Sequence, residues 1–158
     1  MTNRDKLTIK RAEKKDISAL AILFDEYRVF YEQESDPKRA EVFLMERMEN
    51  EQSVIFYAEI KGTDEPVGFV QLYPSFSSIS LQSLWILNDL YVRKEARRLG
   101  AGRALLQEAE HMARLTGAKG LTLSTSAHNS AAQKLYESEG YIRDNEFWHY
   151  NLLTITKS

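Results

Sequence analysis

The sequence contains no cysteine, and this absence excludes several kinds of chemistry. Without thiols the chain has no disulfides, no thiolate metal ligands and no covalent cysteine nucleophile. Proline and glycine are scarce too, with three and seven residues among 158. We find no repeat, linker or low-complexity segment, and the length is typical of one domain spanning residues 1–158.

Long apolar runs and a strong net charge are also missing. No apolar run approaches the ~18 residues of a membrane span, and the N-terminal segment lacks the apolar core of a secretory signal. The net charge of −2 gives no overall attraction to nucleic acid or to a membrane surface. Three scattered histidines make no metal site. We therefore expect a cytoplasmic protein without metal, nucleic-acid or membrane partners.

Hydrophobic periodicity predicts an α/β protein with the element order β-α-α-β-β-β-α-β-α-β. The strands are predicted at 6–12, 53–60, 67–73, 84–92, 120–126 and 146–155, with a loop at 74–80. An amphipathic pattern from Ile17 to Tyr31 predicts the first helix, Pro37 fits the first turn of the second, and Asn129 can cap the last. The hairpin formed by the strands at 53–60 and 67–73 is antiparallel, whereas the strand–helix–strand unit over 84–126 is long enough for a right-handed parallel crossover. The sequence thus predicts a mixed central sheet with a parallel β-α-β core, flanked by about four helices.

Two glycines, Gly100 and Gly102, stand between a predicted strand and a predicted helix. A helix N-terminus exposes unpaired N–H groups and partial positive charge, and glycine lets an anion approach them closely. The basic residues around this turn are Arg93, Lys94, Arg97, Arg98 and Arg103. This pattern favours a phosphate or pyrophosphate as the ligand of the turn. The structural alternative is a tight turn before a helix with a solvated basic face.

Two common nucleotide motifs do not fit this turn. A Walker loop has lysine followed by serine or threonine after its second glycine, where this chain has Arg103 and Ala104. A dinucleotide fingerprint has a third small residue at the position of Leu105, and an acid at the end of the next strand, which "LTLSTS" does not supply.

The stretch "RRLGAGRALL" instead resembles the acyl-CoA signature of the Gcn5-related N-acetyltransferase (GNAT) superfamily, at Arg97, Gly100 and Gly102. The resemblance extends to "LYV" before the turn, and to Asn129 followed by "LYESEGY". The element order is similar to that of the whole GNAT fold, so the resemblance covers nearly the full chain. The strand "LNDLYV" is similar to that of polyamine-type acetyltransferases, and "YRVFY" with "NDLYV" to yeast histone and D-amino-acid acetyltransferases.

This resemblance implies acetyl-CoA as the cosubstrate. Amides of about residues 98–103 would bind its pyrophosphate, the strand at 90–92 would pair with pantetheine, and Asn129 would hold the pantetheine end near the thioester. The residues expected to contact acetyl-CoA are Leu90, Tyr91, Val92, Arg97, Arg98, Leu99, Gly100, Ala101, Gly102, Arg103 and Asn129. The strands at Leu84 and Leu121 would splay apart to admit it, and analogy with the family suggests a homodimer.

Acetyl transfer to an amine requires removal of a proton from the amine and a donor for the leaving thiolate. Tyr136 matches the position of the family's general acid; its structural alternative is a ring that fills space between helix and sheet. Asn88 stands where polyamine-type relatives have a glutamate, and asparagine is no base at neutral pH. Asp89 is the remaining candidate acid in that strand, either as a base acting through water or as a structural group.

The family resemblance implies that the first two helices and the loop before the central strand cover the acceptor site, with Tyr27, Tyr31, Trp85 and Asn88 as candidate substrate-binding residues. Aromatic side chains with nearby acids suit a cationic amine, although Tyr27 and Tyr31 are also spaced as core residues. We therefore expect an acetyl-CoA-dependent N-acetyltransferase that transfers acetyl directly to a small-molecule amine in a ternary complex. The alternatives are a protein or peptide N-acetyltransferase and a non-catalytic acyl-CoA-binding module.

Overall fold

Five strands form one mixed sheet in the order β1-β2-β3-β4-β5 in the computed structural model, which describes residues 3–155. The strands are Leu7–Arg11 (β1), Val54–Ile60 (β2), Pro66–Ser77 (β3), Gln82–Val92 (β4) and Leu121–Thr122 (β5). β1 to β4 are antiparallel neighbours, and β5 lies parallel to β4. The predicted mixed α/β sheet with a parallel β-α-β core is confirmed.

Helices occupy the connections in the predicted order, with one short addition. They are Ile17–Phe30 (α1), Pro37–Glu49 (α2), Lys94–Arg97 (α3), Ala101–Leu115 (α4) and Ser130–Ser138 (α5). The four-residue α3 lies between β4 and the glycine turn and was not predicted. None of the helices within residues 3–155 combines the length and apolarity of a membrane-spanning helix. The chain divides into two compact units, Met1–Ser124 and Thr125–Ser158.

The first unit is built on the two faces of β3, because successive side chains of a strand point to opposite sides. On one face Phe69 joins the core that α1 and α2 cover, together with Ile17, Leu20, Leu23, Phe24, Ala40, Leu44, Ile55 and Tyr57. On the other face α4 approaches so closely that a Cβ on Gly68 would lie 3.4 Å from the Leu105 side chain. By this alternation Gln71 and Tyr73 share the α1–α2 face with Phe69.

The connection between α1 and α2 is fixed by two aspartates. Asp25, which is 6% exposed, accepts hydrogen bonds from Ser35 Oγ and from the Asp36 amide, both at 2.6 Å. The side chain of Asp36 in turn accepts from the Arg39 amide at 3.1 Å and caps α2, whose first residue is Pro37 as predicted. These bonds hold the start of α2 beside the end of α1.

Two predicted boundaries in the sheet are wrong. The predicted loop at 74–80 is largely strand, because β3 continues to Ser77 and pairs with the first half of β4. Pro74 is tolerated there because β2 stops pairing at Leu72, so no neighbour on that side needs an N–H donor. The predicted strand at 120–126 is reduced to Leu121–Thr122, because pairing with β4 ends there.

The predicted last strand at 146–155 is also wrong. Residues 141–155 contain no strand, and the regular element described in the second unit is α5. Apolar side chains of the segment are exposed, including Trp148 at 82% and Leu152 at 89%. The apolar pattern of the sequence suggested a strand, but a strand is stable only when a neighbour pairs with its backbone.

Candidate active site

The N-terminus of α4 is a turn that no side chain of the described residues caps. Gly100 occupies the N-cap position with φ 77°, in the left-handed region that glycine adopts without strain. The amides of Ala101 and Gly102 lie in the first turn, where no earlier helical carbonyl can pair with them. These N–H groups and the positive end of the helix dipole suit an anion.

One of the basic residues near this turn is committed to an ion-pair network. Arg93 binds both carboxylate oxygens of Glu26, at 2.8 and 2.9 Å, and one oxygen of Glu65 at 2.7 Å. The hydrogen bonds to Glu26, followed by those to Glu65, hold the pKa of Arg93 above its usual value against the effect of burial. Arg93 therefore joins β4 to α1 rather than supplying charge for a ligand.

The other basic residues of the turn are exposed. Arg97 donates from Nε to the Val92 carbonyl at 2.9 Å, which ties α3 back to the end of β4. The side chains of Lys94, Arg98 and Arg103 are also exposed. Positive charge therefore flanks the uncapped helix end in a chain whose net charge is −2, and this local charge adds to the attraction for an anion.

The second half of β4 has a strand neighbour on one side. β4 pairs with β5 at Trp85 and Ile86, and beyond Ile86 it pairs with β3 alone among the described residues. β4 and β5 therefore part after this point, as the family resemblance implied. Leu90–Val92 lie on the segment that leaves backbone donors and acceptors for an extended ligand, which could bind like an added strand.

A bulge in β4 presents the candidate base. Gln71 pairs with Asp89, but the next residue of β3, Leu72, pairs with Leu87, so Asn88 is an extra residue in β4. Asp89 is 7% exposed, and its Oδ2 accepts from Gln71 Nε2 at 2.8 Å and from Asn88 Nδ2 at 3.1 Å. The bulge thus places a buried, doubly hydrogen-bonded carboxylate on the α1–α2 face of the sheet.

Gln71 is a member of this cluster that the sequence analysis missed. It is fully buried at 0% exposure, and its Oε1 has no hydrogen-bond partner among the described residues. An unsatisfied buried acceptor costs about 1–3 kcal/mol. The available signal was a glutamine in the otherwise apolar strand "VGFVQLY", which resembles the interruption of the next strand by Asn88 and Asp89.

Tyr73, two residues along the same face of β3, was also missed. Burial, and then the negative charge of Asp89, raise the pKa of Tyr73 to about 12, while Arg47 lowers it. The phenol is therefore protonated at neutral pH and can donate a hydrogen bond on this face of the sheet.

Aromatic rings from α1 cover the same face. Tyr27 contacts the rings of Phe69 at 5.6 Å, Tyr91 at 5.9 Å and Tyr31 at 5.1 Å between centroids. Tyr31 is one of the predicted substrate-binding residues, and at 52% exposure its ring is accessible to a substrate. Burial and the charge of Glu26 raise the pKa of Tyr91. The structure therefore brings Tyr27 and Tyr31 together beside the end of β4.

Trp85 is not brought to this aromatic group. Its indole Nε1 donates to Thr116 Oγ1 at 3.0 Å, at the C-terminal end of α4. Thr116 in turn donates to the carbonyls of Met112 and Ala113. The indole is thus held at the end of α4, where it contributes to packing of that helix against β4.

Asn129 and Tyr136 lie in the second unit. Asn129 Oδ1 accepts from the Ala132 amide at 3.1 Å and caps α5, as predicted. The Tyr136 ring packs against that of Tyr141, with centroids 5.8 Å apart. Tyr136 is partly buried in the last turn of α5, and its packing role and the predicted donor role both stay open.

The mixed α/β sheet and the glycine turn that begins α4 are the features expected of an acyltransferase, and comparison of the sequence with known families identifies which one. The profile of the Acetyltransferase (GNAT) family matches residues 19–141. The chain therefore belongs to the GNAT family of N-acetyltransferases.

Similar proteins agree with this assignment. The chain is 50% identical to the uncharacterized N-acetyltransferase YhfO of Bacillus subtilis (strain 168), over 92% of this chain and 97% of that protein. It is 27% identical to the D-amino-acid N-acetyltransferase HPA3 of Saccharomyces cerevisiae, over 93% and 92% of the two chains. A solved structure described as a probable acetyltransferase superposes with a TM-score of 0.90 at 45% identity, covering 95% of this chain and 99% of that one.

Proposed function

We propose that this protein is an acetyl-CoA-dependent enzyme that acetylates the primary amine of a small molecule by direct transfer in a ternary complex. The observation that carries the proposal is the turn that begins α4, with left-handed Gly100, which follows β4 after the short α3. Among the described residues, the second half of β4 has no strand neighbour on its β5 side. An anion site next to an open strand edge suits a ligand that has a pyrophosphate followed by an extended amide-containing arm.

The described residues fit acetyl-CoA at three points. The amides of Ala101 and Gly102 face no helical partner and would bind the pyrophosphate. The exposed side chains of Arg97, Arg98 and Arg103 would add charge to that site. The backbone of Leu90–Val92 would pair with pantetheine. Acetyl-CoA supplies the activated acetyl group, and these residues bind and orient it.

Asp89 is the proposed acceptor of the amine proton. An ammonium group must lose a proton before its nitrogen can attack a carbonyl. The Asp89 carboxylate lies beside the bulge of β4, and both hydrogen bonds that it accepts from the described residues are on Oδ2. One of the two donors, Asn88, is exposed, and we propose that water reaches the carboxylate on that side. Asp89→Asn should lower the rate and change the acidic limb of the pH–rate profile.

Tyr136 is the proposed hydrogen-bond donor to the leaving thiolate. A phenol is a weaker acid than a thiol, so a phenol can donate a hydrogen bond to sulfur as negative charge develops there. Tyr136→Phe keeps the ring that packs against Tyr141 and removes the donor. Turnover should fall on the order of 10²–10⁴-fold, with little change in acetyl-CoA affinity; wild-type turnover under rate-limiting chemistry would reduce Tyr136 to a packing residue.

A small amine is the preferred acceptor. The similarity to a D-amino-acid N-acetyltransferase over most of both chains supports an amino-acid-like or other small amine. Of the acids that the sequence places near the aromatic residues of α1, Glu26 is paired with Arg93, whereas Glu32 and Glu34 are exposed. We propose that Tyr31, Tyr73 and Asp89 are further groups for a bound amine.

A turnover panel tests the proposal. Purified protein with acetyl-CoA is given polyamines, L- and D-amino acids and basic peptides, and free thiol and acetylated product are both measured. We expect thiol release matched by an acetylated small amine. Turnover on peptides alone would favour the peptide-acetylating alternative, and CoA binding without turnover on any class would favour a non-catalytic module.

A further inference from the structure

Gln71 occupies a position where an apolar residue would be expected. It lies in the buried middle of β3, with apolar neighbours Val70 and Leu72, and has 0% exposure. One end of its amide is used, since Nε2 donates to Asp89 Oδ2 at 2.8 Å, whereas Oε1 has no partner among the described residues. A buried amide with an unsatisfied oxygen destabilises the fold. Retention of glutamine here therefore indicates a role for the hydrogen bond that its Nε2 donates to Asp89.

The geometry of the bulge concentrates donors on one oxygen of Asp89. Gln71 stands directly opposite Asp89 in the β3–β4 ladder, and Asn88 is the extra residue beside it. Both amides donate to Oδ2, and Oδ1 accepts no hydrogen bond from the described residues. Of the two donors, Gln71 makes the shorter bond and is buried, whereas Asn88 is exposed.

We propose that Gln71 is a positioning residue for Asp89, a role that rests on the function proposed above. The Gln71 amide fixes the rotamer of the carboxylate and stabilises its ionised form through Oδ2. Oδ1 is thereby left as the oxygen that receives the proton: the N–H bond of the substrate ammonium breaks, directly or through water, and an O–H bond forms on Oδ1. Release of that proton to solvent restores the carboxylate for the next turnover.

Other titratable or charged groups near this carboxylate lie on neighbouring elements. Tyr73 of β3 interacts electrostatically with Asp89, and Arg47 of α2 acts on Tyr73. Tyr73 carries no charge below its pKa of about 12, so it does not titrate in the range where an acetyltransferase is assayed. A change in the acidic limb after substitution of Gln71 therefore reports on Asp89 and the amide that holds it.

The test uses Gln71→Leu, which is apolar, is one bond shorter than glutamine and removes the donor. Loss of the donor releases the carboxylate from the rotamer that the amide holds, so the acidic limb of the kcat/KM profile should change, as it should in Asp89→Asn. The kcat at neutral pH should fall about tenfold, as for a lost hydrogen bond to a charged group, while KM for acetyl-CoA stays near wild type. Gln71→Met provides a second apolar variant in case the first folds poorly.

Two further variants make the result specific. Leu72→Val changes the adjacent residue, which points to the opposite face of β3, and should leave the pH profile in place even if it lowers the melting temperature. The double variant Gln71→Leu/Asp89→Asn should have the rate and profile of Asp89→Asn alone, because Gln71 acts through that carboxylate.

Each outcome decides the proposal. If Asp89→Asn alters the acidic limb and the Gln71 variants leave it unchanged, the positioning role is overturned while the proposed function stands. If neither residue affects the profile, Asp89 is not the proton acceptor and both claims about this cluster fail. Additive effects in the double variant would show that Gln71 acts independently of Asp89 and would also overturn the inference.

Discussion

Substitution Arg93→Met tests whether the ion-pair network stabilises the junction of β4 and α1. Methionine retains an apolar stem and removes the guanidinium that binds Glu26 at 2.8 and 2.9 Å and Glu65 at 2.7 Å. The side chain of Arg93 is 17% exposed, that of Glu26 is 38% exposed and that of Glu65 is 70% exposed. The pair with Glu26 should therefore contribute more to the free energy of unfolding than the pair with Glu65.

The size of the effect follows from this difference. Hydrogen bonds to charged groups contribute about 1.5–3 kcal/mol when shielded, and we discount the Glu26 pair to about 2 kcal/mol because its carboxylate is partly solvated. The exposed Glu65 pair contributes about 0–1 kcal/mol. Arg93→Met should thus lower the free energy of unfolding by about 2–3 kcal/mol, and the melting temperature by about 5–10 °C for a chain of this size.

Urea unfolding of a double-mutant cycle separates the two pairs. The coupling between Arg93→Met and Glu26→Gln should be about 2 kcal/mol, and should persist in part at 1 M salt. The coupling with Glu65→Gln should be below about 1 kcal/mol and should disappear in salt. A larger coupling to Glu65 than to Glu26, or a loss below about 0.5 kcal/mol for Arg93→Met, would refute this reasoning.

Three further predictions concern packing, capping and titration. Gly68→Val should destabilise the fold by about 1–3 kcal/mol in urea unfolding, because a Cβ there would lie 3.2 Å from the Tyr91 carbonyl of the paired strand β4. A neutral result would mean that β3 and β4 are less closely packed at this point. Asp36→Ala removes the side chain that caps the Arg39 amide and should lower the free energy of unfolding by about 1 kcal/mol. An unchanged melting curve would contradict this capping role. Tyr73 should ionise near pH 12 rather than 10 in an absorbance titration. Because the pKa of Tyr73 is higher in the folded than in the unfolded chain, the free energy of unfolding should fall as the pH rises between these values. Ionisation at pH 10 would show that the phenol is solvated.

The parts of the fold that depend on local sequence were predicted well. The amphipathic pattern of α1, Pro37 at the start of α2, and Asn129 as the cap of α5 all depend on residues within a few positions of one another. The glycine turn was recognised for the same reason, since Gly100 and Gly102 lie next to the helix that they begin.

The errors concern features that depend on a distant partner. The predicted loop at 74–80 is mostly strand because Pro74 to Ser77 find partners in β4, and the predicted strand at 146–155 has no described partner. Gln71 was missed because its significance comes from the register that places it opposite Asp89, 18 residues away. Sequence spacing alone could not indicate that Arg93 would bind Glu26, 67 residues away.

Calorimetric titration of CoA into Gly102→Val is the most direct test of the claim that the first turn of α4 binds the cosubstrate. The matched control is Gly120→Val, which places the same side chain where a Cβ would meet nothing within 4 Å, outside the turn. We predict that Gly102→Val weakens CoA binding at least about tenfold, or about 1.4 kcal/mol, with an apo melting temperature close to that of the control, and that Gly120→Val binds as wild type. Unchanged CoA affinity in Gly102→Val would contradict the assignment of this turn as the pyrophosphate site.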